Sequence, residues 1–150
     1  AARIAPLGWH LVLHLEPEDV VEFADLLPAL ALPVMIDHMG RVKTAGGLDQ
    51  EPFRRLLDFI RAEDCWVKIS GAERNSTAGA PYTDAIPFAQ ALIDAAPARV
   101  LWGTDWPHPN MKSHMPDDGK LVDMIPLIAP TEALQHKLLV ENPMRLYWAE

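Results

Sequence analysis

Four residues that can do chemistry recur at the ends of apolar runs: His14 after LVL, His38 after VMID, Arg74 after KISGAE and Asp105 after LWGT. A carboxylate can take a proton from water, an imidazole can polarise a carbonyl, and a guanidinium offers a planar fork to a carboxylate. Alone, each could be a satisfied structural group or, for Asp105, a helix cap. Gathered at one rim, they make a site. His108 follows Asp105 by three residues, and Lys68, Ser70 and Glu73 flank the approach to Arg74. His10 is as well placed to be a core histidine, and His114 and His136 read as solvated.

To converge, these residues must sit on neighbouring parallel strands. Four stretches read as strands: Gly8 to Glu16, Leu32 to Gly40, Cys65 to Gly71 and Arg99 to Asp105. After the first, Glu18 and Asp19 open a helix through VVEFADLLPAL, placing acidic charge at its positive end. After the second, Asp49 can cap a helix in which Glu51 and Pro52 occupy the first turn and Phe53, Leu56, Leu57 and Ile60 form an apolar stripe. Further helices are expected from about Thr83 to Ala95, near Lys120 to Ile128 and from Thr131 to Val140. Pro28, Pro87 and Pro126 fall inside these patterns, so short or kinked helices are expected there. Strand and helix alternating in units of about 25 to 35 residues is the pattern of right-handed βαβ crossovers, which makes the fold class α/β.

By the period of two, His10, Val12, His14 and Glu16 share one face of the first strand, and Val34, Ile36 and His38 share a face of the second. Lys68 and Ser70 align on the third, and Leu101, Gly103 and Asp105 on the fourth. Ligands of α/β sheets and barrels bind at the carboxyl ends of the strands, where all four chemical residues fall.

Composition narrows the partners. The 150 residues carry 21 acidic against 13 basic groups, a net charge of −8, with no Lys/Arg cluster, so neither nucleic acid nor an anionic membrane surface is an expected partner. An anionic substrate would need individual arginines to hold it against that field. Apolar runs fall short of the roughly 18–20 residues that cross a bilayer and no signal-peptide pattern is present, which makes a cytoplasmic setting the expectation. The single cysteine, Cys65, excludes an intramolecular disulfide framework and a multi-thiolate metal site, and its apolar flanks suggest a buried thiol.

The segments MIDHMG (35–40), VKISG (67–71), WGTDWPHPN (102–110) and ENPMRLYW (141–148) together resemble the amidohydrolase superfamily, in its amidohydrolase-2 branch of (β/α)8 barrels. Within that branch WPHPNMKSHMPDDGKLVD is most similar to the 2-pyrone-4,6-dicarboxylate hydrolases, lactonases that open a pyrone ring. The resemblance implies that residues 1–150 are the C-terminal half, strands 5–8 with their helices, of a single TIM-barrel domain. It places the strand-8 aspartate on Asp105, the strand-6 histidine on His38, the arginine after strand 7 on Arg74 and the strand-5 position, a tyrosine in the lactonases, on His14. The His-x-His motif of strand 1 has no counterpart here. A missing N-terminal half-barrel is therefore the expected partner, because a complete barrel takes about 250 residues.

On this resemblance the expected activity is lactone hydrolysis on a small anionic carboxylate, with Asp105 as general base, His38 polarising the carbonyl, and Arg74, His14 and His108 binding substrate. No cofactor is required in the lactonases. The alternative is a zinc-dependent hydrolase or decarboxylase, with His38 and Asp105 as ligands, and a third possibility is an inactive half-barrel. This half alone is expected to be inactive.

Overall fold

Strands β1 (Leu11–Leu13), β2 (Val34–Ile36), β3 (Cys65–Ile69) and β4 (Val100–Trp102) form one parallel sheet in the order β1-β2-β3-β4. The computed structural model describes residues 1–112 and 114–148. Register runs from Val12 beside Met35, to Met35 beside Trp66, to Lys68 beside Leu101. Each strand leads into helix: α1 (Pro17–Phe23), α2 (Glu51–Arg61), α3 (Ala72–Asn75) with α4 (Ile86–Ala95), and α5 (Asp118–Val122), α6 (Ile125–Ile128), α7 (Glu132–His136) and α8 (Asn142–Tyr147). These are four consecutive βα units of a (β/α)8 barrel.

The strands are shorter than the sequence patterning suggests, because the backbone leaves the ladder early. His38, Gly71 and Asp105 all have positive φ (53°, 71° and 70°), which ends regular pairing just where the polar residues begin. The prolines open helices rather than kinking them. Pro87 and Pro126 stand in the first turns of α4 and α6, and Pro28 in a short 3-10 turn, Leu27–Ala29, separate from α1. Asp49 does not cap α2: Gln50 is the N-cap residue, and its side-chain amide donates instead to the carbonyls of Lys43 and Gly47.

One face of the sheet builds the main core. Val34, Ile36, Val67, Ile69 and Val100 meet Phe53, Leu56 and Ile60 of α2 and Phe88 and Leu92 of α4, all buried. Cys65 lies in the same core, and burial pushes its thiol up to about 11. Met35, Trp66 and Leu101 cluster separately on the opposite face, the side that a closed barrel encloses. This corrects the parity on β2: Val34 and Ile36 face the helices, Met35 and Asp37 face the interior, and His38 reaches the site only because the chain turns after the strand. No helix among the described residues is long and apolar enough to cross a membrane.

Candidate active site

His38 begins a tight turn, His38–Arg41, in which all four residues have positive φ. Asn75 fixes this costly backbone by donating from Nδ2 to the His38 carbonyl (2.9 Å). Gly71 lets the turn approach β3: a Cβ there would lie 3.0 Å from His38 Cβ. The imidazole is buried, with Nδ1 and Ser70 Oγ sharing a hydrogen bond of 2.8 Å and Nε2 facing Asp105 Oδ1 at 3.5 Å. Burial pushes its pKa below the ordinary histidine value, although Asp105 and Asp37 pull upward, so the ring is neutral near pH 7. The ring of His14 stands edge-on to it at 5.1 Å.

Asp105 is held from the other side. Arg74 donates from Nε to Asp105 Oδ2 (2.6 Å) and from Nη2 to the Pro109 carbonyl (2.8 Å), while Lys43 Nζ donates to the Arg74 carbonyl (2.6 Å). With Oδ2 occupied, Oδ1 is the oxygen turned toward His38. The resulting cleft is lined by His14, His38, Arg41, Arg74, Asp105 and the Pro109–Asn110 backbone segment. The four strand-end residues singled out by the sequence thus meet.

His108 does not join them in the cleft. The turn after Asp105 donates the His108 N–H to the Asp105 carbonyl (2.7 Å) and tucks the ring inside, where Nδ1 faces Glu73 Oε1 at 3.5 Å and Nε2 meets Asp118 Oδ1 at 3.2 Å. Its expected contact with substrate has no support in this placement. Arg41 does line the cleft, although the sequence patterning passed over it. It donates from Nη1 to His14 Nε2 (3.0 Å) and pairs with Glu16. Its position three residues past His38, beyond the strand end, was the available signal. Asp37, paired with Lys68 at 2.7 Å, is a second omission, on the interior face below His38.

By distance alone Glu73, Asp105 and His108 could hold a metal ion, since their ligand atoms lie within 4.8 Å of one another. A divalent ion there would meet the Arg74 guanidinium, whose Nε is 2.6 Å from Asp105 and 3.6 Å from Glu73. The cluster already contains its cation. In the zinc pair, His38 Nε2 and Asp105 Oδ1, 3.5 Å apart, are left free by the bonds to Ser70 and Arg74, so this half offers two of the four donors zinc prefers.

The family model described as amidohydrolase matches residues 1–148. This chain belongs to that amidohydrolase family. The amidohydrolase chain is 52% identical to 2-pyrone-4,6-dicarboxylate hydrolase of Comamonas testosteroni, over all of this chain and 52% of that protein. It is 45% identical to 4-sulfomuconolactone hydrolase of Rhizobium radiobacter, over 94% of this chain and 48% of the other. Among solved structures, a Pseudomonas putida protein described as a 2-pyrone-4,6-dicarboxylic acid hydrolase superposes with a TM-score of 0.81 at 30% identity, covering 99% of this chain and 55% of that one. The amidohydrolase chain therefore spans about half the length of the relatives it matches, as half of a (β/α)8 barrel does.

Proposed function

We propose that the completed barrel hydrolyses the lactone ring of a small carboxylated substrate of the pyrone-dicarboxylate kind, with an amino-terminal half-barrel supplying the rest of the site. The observation that carries this reading is Asp105, with one oxygen fixed by Arg74 and the other facing a buried, neutral His38 across an open cleft. Water attacks the lactone carbonyl as Asp105 Oδ1 takes its proton, and the same proton goes to the departing ring oxygen. With Ser70 donating to His38 Nδ1, the ring proton sits on Nε2, where it can be donated to the carbonyl oxygen as negative charge develops.

Arg74 and Arg41, both lining the cleft, give the substrate carboxylates planar partners that a net charge of −8 would otherwise deny them. The relatives' names, a pyrone dicarboxylate hydrolase and a sulfomuconolactone hydrolase, agree in joining a lactone to further anionic groups. The test is hydrolysis of 2-pyrone-4,6-dicarboxylate against an uncharged pyrone, before and after exhaustive chelation. The dicarboxylate should be preferred by a hundredfold or more in kcat/KM, on the order of two charge-assisted bonds, and chelation should leave the rate unchanged. Loss of activity on chelation with recovery on adding zinc would replace this mechanism by a metal-dependent one.

A further inference from the structure

Two side chains that meet in the cleft leave the backbone from one turn: His38 starts it and Arg41 ends it. Its residues His38, Met39, Gly40 and Arg41 all have positive φ (53°, 51°, 62° and 53°). L-residues visit this region singly rather than in runs, because Cβ crowds the following carbonyl, so such a turn lasts only where its surroundings hold it. We propose that Asn75 is the positioning residue that holds it, so that one amide sets both the aim of His38 and the reach of Arg41; the inference rests on the lactone-opening reading above.

Asn75 Nδ2 donates to the His38 carbonyl (2.9 Å), the only side-chain hydrogen bond to the backbone of the turn among the described residues. The amide must face this way, since a carbonyl oxygen accepts and cannot donate. Asn75 is 1% exposed, so solvent does not compete for the bond. Packing alone leaves the turn undirected. A Cβ at Gly71 would lie 3.0 Å from His38 Cβ, and one at Gly40 would lie 3.0 Å from Val20 Cγ2, contacts that press the turn against its neighbours without choosing its twist. The bond to the carbonyl fixes the plane of the His38–Met39 peptide, and with it the direction in which the chain runs on to Arg41.

Asn75 is itself anchored. Its carbonyl accepts from Thr44 Oγ1 (3.2 Å), and Lys43 Nζ donates to the Arg74 carbonyl (2.6 Å), which ties α3 to the segment just past the turn. Arg74 and Asn75 are neighbours in α3 and take opposite sides of the site. Arg74 Nε holds Asp105 Oδ2 at 2.6 Å and Asn75 holds the His38 backbone, so one short helix fixes the 3.5 Å between Asp105 Oδ1 and His38 Nε2. Asn75 Oδ1 is buried with no hydrogen-bond partner among the described residues. A buried amide serving only the fold is expected to satisfy both its ends; this one uses its donor alone.

The test uses the enzyme with both barrel halves. Asn75→Leu fills the same space without the donor, and its melting temperature should change little, because one unpaired acceptor, the His38 carbonyl, replaces another. Through His38, kcat should fall about tenfold or more on a dicarboxylate lactone and on a neutral one alike; through Arg41, KM should rise about tenfold for the dicarboxylate and stay within about twofold for the neutral lactone. If that variant does not fold, Asn75→Ser, whose hydroxyl ends one bond short of the carbonyl, carries the same expectation. Wild-type kcat and KM in the folded variant, whatever its melting temperature, overturn the positioning role and leave the lactone reading intact. A wild-type enzyme that opens no carboxylated lactone overturns that reading instead, and the clamp is then decided by the imidazole 15N shifts of His38. These should show a single tautomer protonated at Nε2 in wild type and a mixture in Asn75→Leu; identical spectra overturn the clamp.

Discussion

Arg74 Nε lies 2.6 Å from Asp105 Oδ2, joining residues 31 apart in sequence from the ends of adjacent strands. The bond decides which carboxylate oxygen is left to meet water, and it divides the guanidinium between its neighbour and the cleft. Nε and Nη2 are taken by Asp105 and Pro109, and Nη1 makes no hydrogen bond among the described residues.

Arg74→Lys keeps the charge but cannot hold Asp105 and present a free Nη1 to the cleft at once, so KM for the dicarboxylate should rise about tenfold and less for a neutral lactone. Arg41→Met should show the same preference from its own part of the cleft. Equal losses for neutral and anionic substrates, measured by steady-state kinetics, would make Arg74 structural.

His38 must be neutral to carry a donated proton at Nε2 with Ser70 on Nδ1. Its folded pKa lies below 6.5, lowered first by burial. The rate should therefore be flat above that value and fall as pH drops through the lowered pKa. A profile of log kcat against pH that breaks above 6.5 would show that the imidazole is not held neutral.

Asp84 ties the connection after β2 to the one after β3, accepting from Thr44 Oγ1 (2.5 Å), Ser76 Oγ (2.6 Å) and the N–H groups of Thr77 and Ala78 (3.0 and 3.2 Å). Burial raises its pKa, but the hydrogen bonds outweigh that and hold it at about 2, below the ordinary 3.8. Because the folded value is depressed, the stabilisation is complete above about 4 and disappears as pH falls toward 2. In the completed barrel Asp84→Ala should cost about 1–3 kcal/mol at pH 7 and flatten stability against pH between 4 and 2, measured by denaturant melts. Parallel wild-type and variant curves in that window would contradict this.

Much of the site was legible because it depends on local patterns. Alternation places Asp105 beyond inward-facing Leu101, and the stripe Phe53, Leu56 and Ile60 faces the core as its helical spacing requires. What the patterns missed depends on backbone turns. His38 shares a face with Ile36 only if the strand continues, and a positive φ at His38 ends that periodicity. Arg41 enters the cleft through the same turn, and the turn after Asp105 hides His108 behind it. Glu73 gains meaning only from neighbours far along the chain, since an acidic residue beside an arginine is ordinary in sequence.

Strands β1 and β4 each pair with one neighbour among the described residues, and Val12 on the interior-facing side of β1 is 43% exposed. Residues 1–150 produced alone should therefore be oligomeric or molten and inactive, and co-expression with an amino-terminal half should restore solubility and activity. Light scattering and a thermal melt decide it: a monodisperse monomer with a cooperative transition would require a closure of four strands that this sheet lacks.

The most direct measurement is turnover of 2-pyrone-4,6-dicarboxylate by the completed barrel and its Asp105→Asn variant, followed by loss of pyrone absorbance. Asparagine keeps the shape and can still accept from Arg74, but it cannot take the proton of water. The rate should fall on the order of 10²–10⁴-fold with the protein still folded. Near-normal kcat in a folded Asp105→Asn enzyme would remove Asp105 from the chemistry and with it the assignment of this site as a lactonase.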